Sequence, residues 1–123
     1  MKEVRLIIAG SRDFDNYNLL EKACVNYLDT IIQDRNIKVR IVSGCAKGAD
    51  TLGELFARTF GYPIKKFPAD WDKHGKAAGP IRNKQMAEYA NTCIVFCRNK
   101  SRGSLNMVHQ AMEEGISVNL MML

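Results

Sequence analysis

Short apolar runs alternate with longer stretches of helical periodicity along the chain, and this alternation restricts the fold more than any other feature of the sequence. Val4–Ala9 is a nearly continuous apolar run, the pattern of a central parallel strand covered on both faces. Asn16–Asp34 follows, with Leu19, Leu20, Ala23, Tyr27, Leu28, Ile31 and Ile32 at helical spacing. Lys38–Ser43 reads as a second strand. Ala49–Phe60 reads as a second helix, with Leu52, Leu55, Phe56 and Phe60 on one face and Gly61 as a left-handed stop. Pro63–Phe67 is a third strand, placed near a sheet edge by Lys65 and Lys66. A loop from Pro68 to about Gly79 precedes a third helix, opened by Pro80 at its first position and running to Ala90. Thr92–Cys97 is the fourth strand. Ser104 is read as the cap of a fourth helix through Glu114, closed by Gly115, and Ser117–Leu123 is the last strand. The sum is an α/β fold, a single Rossmann-like three-layer domain of about five parallel strands with four helices.

At 123 residues the chain is expected to form one such domain, 1–123, with no room for a second or for a separate lid. Its 46% hydrophobic and 25% charged residues exclude disorder, collagen-like repeats and coiled coil. The first apolar run is too short for a signal peptide and is followed at once by Ser11-Arg12-Asp13. No segment approaches the ~18 apolar residues of a membrane span, so a cytoplasmic protein without a membrane partner is expected. Cys24, Cys45, Cys93 and Cys97 form no CxxC pair and have no His at metal spacing. They read as reduced core or loop thiols, and neither a metal site nor a cofactor is expected. His74 and His109 read as surface or satisfied side chains, and Met107, Met112, Met121 and Met122 as core packing.

Lys+Arg 18 against Asp+Glu 13 gives a net charge of +5, which alone does not separate an anionic partner from a solubility margin. The placement of the charge is more informative. In an open parallel sheet, ligands bind beyond the carboxyl ends of the strands, where strand order reverses. The loops after the strands, with the start of the third helix, hold Arg12, Lys47, Lys73, Lys76, Arg82, Lys84, Arg98, Lys100 and Arg102, nine of the 18 basic residues. Asp13, Asp15, Asp50, Asp70 and Asp72 are the acids among them.

Ser43-Gly44-Cys45-Ala46-Lys47-Gly48-Ala49-Asp50 is the sharpest of these loops. Gly44 and Gly48 allow a tight turn that exposes N–H groups at a helix start, where phosphate is favoured. Lys47 adds a full charge. Asp50 either caps the helix or accepts from a ribose hydroxyl. The spacing is neither a Walker A loop nor G-x-G-x-x-G. Gly10-Ser11-Arg12 after the first strand and Ser101-Arg102-Gly103-Ser104 after the fourth should face each other across the switch point as one anion site. Arg82 and Asn83 fall in the first turn of the third helix, where a cation opposes the helix dipole unless an anion lies nearby. Trp71 either stacks on a base or covers the underside of its loop.

In order and spacing, the Gly10–Phe14, Val42–Asp50, Phe67–Trp71, Gly75–Asn83 and Ser101–Ser104 segments resemble the small YspA-like, cpYpsA-related branch of the SLOG superfamily of bacteria and phages. The resemblance covers nearly the whole chain. One departure is Cys45, where the branch usually has a second Gly. The superfamily includes "lonely guy" phosphoribohydrolases, DNA-processing A proteins and sensor domains for nucleotide-derived signals. The resemblance therefore implies a ligand with phosphate and ribose. Gly10, Ser11, Arg12, Gly44, Lys47, Gly48, Arg82, Ser101, Gly103 and Ser104 are the expected phosphate contacts, Asp50 and Asn83 the ribose contacts, Trp71 the base contact, and Ser43 a further ligand-binding residue.

The hydrolases carry a Gly-Gly-x-Gly-Thr-x-x-Glu motif with a catalytic Glu, and here Met107 stands at that position. Arg82 matches their catalytic Arg, and only Asp50 or Asp72 is left as a substitute carboxylate. Binding of a small phosphorylated nucleotide-like ligand, as a sensor or sequestering protein, is therefore placed ahead of two alternatives. These are nucleoside monophosphate N-glycosidase activity, with Arg82 and Asp50 as the catalytic pair, and single-stranded nucleic-acid binding, for which one aromatic-bearing loop offers little platform. A homodimer is a further expectation drawn from related folds.

Overall fold

The computed structural model describes residues 3–34 and 36–123. Five parallel strands form one sheet: β1 (Glu3–Gly10), β2 (Lys38–Ser43), β3 (Ile64–Lys66), β4 (Thr92–Cys97) and β5 (Ser117–Met122), in the order β3-β2-β1-β4-β5. Strand order reverses between β1 and β4, whose register pairs Gly10 with Phe96. The crevice expected at a switch point therefore opens over the ends of these two strands.

Strand alternation divides the apolar residues between two cores. Val4, Leu6 and Ile8 of β1, with Ile94 and Phe96 of β4, pack against α1 (Tyr17–Ile31) and α2 (Ala49–Phe60). Ile7 and Ala9, with Cys93, Val95 and Cys97, pack on the other face. That face is covered by Met86, Ala87 and Ala90 at the end of α4 (Ala78–Tyr89) and by Met107 and Ala111 of α5 (Arg102–Glu113). Both faces of β1 and β4 are thus covered, which is why these strands read as nearly continuous apolar runs. Each fully buried Ile or Leu among them contributes roughly 1.5–3 kcal/mol. No described helix is long and apolar enough to cross a membrane.

Several boundaries depart from the sequence reading. Residues expected to be loop between Pro68 and Gly79 contain α3 (Trp71–His74) and a 3₁₀ turn (Gly75–Ala77) that runs into α4. Because α4 begins at Ala78, Pro80 is its third residue, and Arg82, its fifth, lies past the first turn. The first long helix stops at Ile31 rather than Asp34. Ser101, not Ser104, precedes α5, and the Ser104 hydroxyl hydrogen-bonds to that of Ser101 at 3.2 Å. Met107 is buried, whereas Met112 (68% exposed) and Met122 (54% exposed) are not core residues. The second lies on an edge strand with no neighbour beyond it, and the first on the outer side of α5. Cys24, Cys93 and Cys97 are buried and Cys45 is exposed, all as free thiols.

Candidate functional site

The loops after β1 and β4 are tied together by one side chain. Ser11, buried at the tip of β1, donates its hydroxyl to the Arg98 carbonyl at 3.2 Å and accepts from the Arg98 N–H at 2.8 Å. Phe14, also buried, stacks on Phe96 with ring centroids 5.1 Å apart, which pins the turn to the sheet end. The Ser11 carbonyl accepts from the Ala49 N–H at 3.3 Å, so the start of α2 joins the same cluster.

The loop between β2 and α2 is compact for identifiable reasons. Ser43 accepts from the Cys45 N–H at 3.1 Å and donates to Glu54 at 2.7 Å. Asp50 accepts from the Ala46 N–H at 3.2 Å. Gly44 is needed because a Cβ there would lie 2.8 Å from both Arg82 Nη1 and Asp50 Oδ2. Cys45 has φ 64, in the left-handed region where glycine is preferred. That conformation explains why a glycine suits the position where this chain departs from the pattern it resembles.

Arg82 lies at the centre of the arrangement. It is 9% exposed, yet it forms no ion pair with Asp50, although both flank Gly44. Its Nη1 donates to the Gly44 carbonyl and its Nε to Asn83 Oδ1 at 2.9 Å. Nη2 has no hydrogen-bond partner among the described residues, and it is not sealed from solvent. Asn83 passes the connection on, donating to Asn106 Oδ1 at 2.9 Å and to the Gly103 carbonyl at 3.4 Å. Its amide is therefore already engaged in holding Arg82 and joining α4 to α5. Burial pushes the Arg82 guanidinium below its ordinary pKa, opposed by the Asp50 carboxylate.

Above these residues lies a cavity of about 820 Å³. Nine of the sequence-predicted residues line it: Gly10, Ser11, Arg12, Asp50, Trp71, Arg82, Asn83, Ser101 and Gly103. A second lobe of about 460 Å³ adjoins it and brings in Gly44 and Lys47. Ser43, Gly48 and Ser104 line neither lobe and act in packing and hydrogen bonding beneath them. Lys76, Arg98 and Arg102, already counted among the loop cations, also line the larger cavity, whereas Lys73, Lys84 and Lys100 do not. Asn106 was not anticipated, because its role depends on α4 lying beside α5. Met107 lines the cavity floor and Asp72 does not reach either lobe. The N–H groups of Arg102, Gly103 and Ser104 at the start of α5 hold no hydrogen bond among the described residues, as first-turn amides commonly do not. Trp71 is 48% exposed, with the Arg12 guanidinium 5.7 Å from its ring centroid.

Asp50 is 4% exposed, and burial pushes its pKa from 3.8 up to about 6, against the stabilising N–H of Ala46 and charge of Arg82. The folded state therefore holds an extra proton between these two values, and stability falls as pH rises through that window. Asp50→Asn removes this dependence. Denaturant unfolding at pH 4 and pH 7 is expected to show the wild type losing about 2–3 kcal/mol relative to the variant. Equal differences at both pH values would contradict the burial effect.

A doubly wound parallel domain with a cationic crevice at its switch point defines a Rossmann-like class of protein. The family is narrower than that class. Residues 4–74 match the model of the "YspA, cpYpsA-related SLOG family", and the chain belongs to that family. It is 34% identical over 120 residues to the Gene 61 protein of Mycobacterium phage D29, covering 93% of both chains. DNA processing protein A (DprA) from Streptococcus pneumoniae has the same fold, with a TM-score of 0.72 at 23% identity. That match takes in 96% of this chain but only 50% of the DprA chain.

Proposed function

We propose that this protein binds a nucleotide or nucleotide-derived ligand, with phosphate and ribose, in the crevice beyond the ends of β1 and β4. The observation that carries this reading is Arg82, a buried cation with Nη2 unpaired beside the cavity. A buried charge is costly unless it meets a counter-charge, and a phosphoryl oxygen supplies one with matching geometry. The unpaired amides at the start of α5 add donors suited to the same anion. Trp71 supplies an aromatic wall for the base.

A panel of nucleoside monophosphates, with inorganic phosphate, tests the reading by thermal shift and calorimetry. At a hundredfold excess over Kd a true ligand raises stability by about 2.7 kcal/mol. Arg12→Ala is expected to weaken binding about tenfold, the loss of one charge-assisted contact. Silence across the panel, with wild type and variant alike, rejects the proposal.

One observation favours hydrolysis as a second reading. Asp50 is a carboxyl lining the same cavity with a pKa raised to about 6, the range suited to general acid–base work. Release of free base from the panel, lost in Asp50→Asn, would support it. An oligonucleotide included alongside tests the nucleic-acid reading that the DprA likeness suggests. Tight binding with a steep salt slope would move the assignment from a small ligand to single strands.

A further inference from the structure

The two lobes share Arg12, Ala46, Trp71 and Arg82, so two arginines line the boundary between them. The smaller lobe is lined by Gly44, Cys45, Ala46, Lys47, Pro68 and Ala69 besides the shared arginines and Trp71. It thus has three cations and no acidic side chain. The N–H group of Lys47, which lines this lobe, holds no hydrogen bond among the described residues. At about 460 Å³ the lobe has the size of a ligand site in its own right. A mononucleotide in the larger cavity would leave it empty, with Lys47 facing no anion.

Resting on the nucleotide reading above, we infer that the ligand is a dinucleotide. Its bridging phosphates lie at the boundary of the lobes, between Arg12 and Arg82, with one nucleoside in each lobe. Two guanidinium groups at one boundary match two adjacent phosphoryl groups, Arg12 with its planar fork and Arg82 with the Nη2 edge that Asn83 and Gly44 leave free. Lys47, with its ammonium group and its backbone N–H, holds the distal half. Pro68 and Ala69 offer apolar contact to its base, and Trp71 borders both lobes.

Cys45 makes the inference measurable, because it lines the smaller lobe and is exposed while the other three cysteines are buried. The probes are the ribonucleoside 5′-monophosphates and the matched symmetric dinucleoside pyrophosphates, each at ten times its Kd. Iodoacetamide labelling of Cys45 is followed by mass spectrometry, and occupancy is checked by thermal shift. A dinucleoside pyrophosphate is expected to bind at least about tenfold tighter than its monophosphate, the gain from further charge-assisted contacts. It should also slow labelling about tenfold, in proportion to the unoccupied fraction. The monophosphate should leave labelling nearly unchanged. Lys47→Ala should reduce the ratio of the two affinities. Monophosphates that bind, with dinucleotides no tighter and Cys45 unprotected, would overturn the dinucleotide inference and leave the nucleotide reading standing. Binding by neither class would overturn both.

Discussion

Gly48→Ala is expected to destabilise the protein by about 4 kcal/mol, summing left-handed backbone strain and overpacking. Gly48 has φ 79, and a Cβ there would lie 2.3 Å from the Ser11 carbonyl oxygen and 2.5 Å from that of Arg12. The Ser11 oxygen, the nearer of the two, cannot retreat freely. The Ser11 carbonyl accepts from Phe14 and Ala49, and the Ser11 hydroxyl is fixed to both backbone groups of Arg98. A methyl group at Gly48 therefore pushes the α2 entry away from the β1 loop, or the β1 loop away from β4. Either movement opens the crevice from below. The expected result is a drop in Tm of roughly 15 °C, with denaturant midpoints shifting in parallel. Gly115→Ala is the control, since that glycine also has positive φ but has no atom within 4 Å of its would-be Cβ. It should lose only the strain, about 1–2 kcal/mol. Equal losses for the two variants would show that the close approach at Gly48 contributes nothing.

The parallel sheet was legible because β1 and β4 are covered on both faces and are therefore apolar over most of their length, Glu3, Arg5 and Thr92 excepted. The edge position of β3 was legible for the opposite reason, as Lys65 and Lys66 need solvent. The facing of Gly10-Ser11-Arg12 and Ser101–Ser104 followed from strand order alone, and Ser11 bonding to Arg98 is the atomic form of that facing. Periodicity was silent over Trp71–Ala77, because α3 and the turn after it bury no residue and so impose no apolar spacing. The available signal was local: the Asp70 side chain accepts from the Lys73 N–H at 3.1 Å, a helix cap without a helical face. The same miss displaced Arg82 from the first turn of its helix. The dipole argument for a nearby anion is weaker at its true position, since that field fades within the first turn. Burial and an unpaired Nη2, neither visible in the sequence, support the anion instead. The Asn83–Asn106 link was hidden because it joins α4 to α5, two helices whose adjacency only the fold reveals.

Arg82→Leu is expected to weaken binding of the best nucleoside monophosphate about a hundredfold or more, the cost of removing one partner of a desolvated charge pair. Leucine keeps much of the apolar stem, so the shape of the cavity floor changes little while the cation is lost. The stability effect is smaller because its parts oppose one another. The Gly44 carbonyl and Asn83 Oδ1 lose their donor, at about 1–3 kcal/mol each where water cannot replace it. Against this, a buried charge with unfilled donors disappears, and with it the cost of its desolvation. Asp50 loses a stabilising neighbour, so its carboxyl rises further above its ordinary range. Arg82→Lys separates charge from geometry. An ammonium group keeps the charge, but it lacks the planar fork that bonds Asn83 and Gly44 while presenting a free edge to the cavity. A loss of about tenfold for Arg82→Lys, between wild type and Arg82→Leu, would mark the directed hydrogen bonds as part of the affinity. Calorimetry on folded variants, with unfolding midpoints measured in parallel, separates the two effects. A wild-type Kd in Arg82→Leu would remove Arg82 from the site and, with it, the main reason for assigning an anion to this crevice.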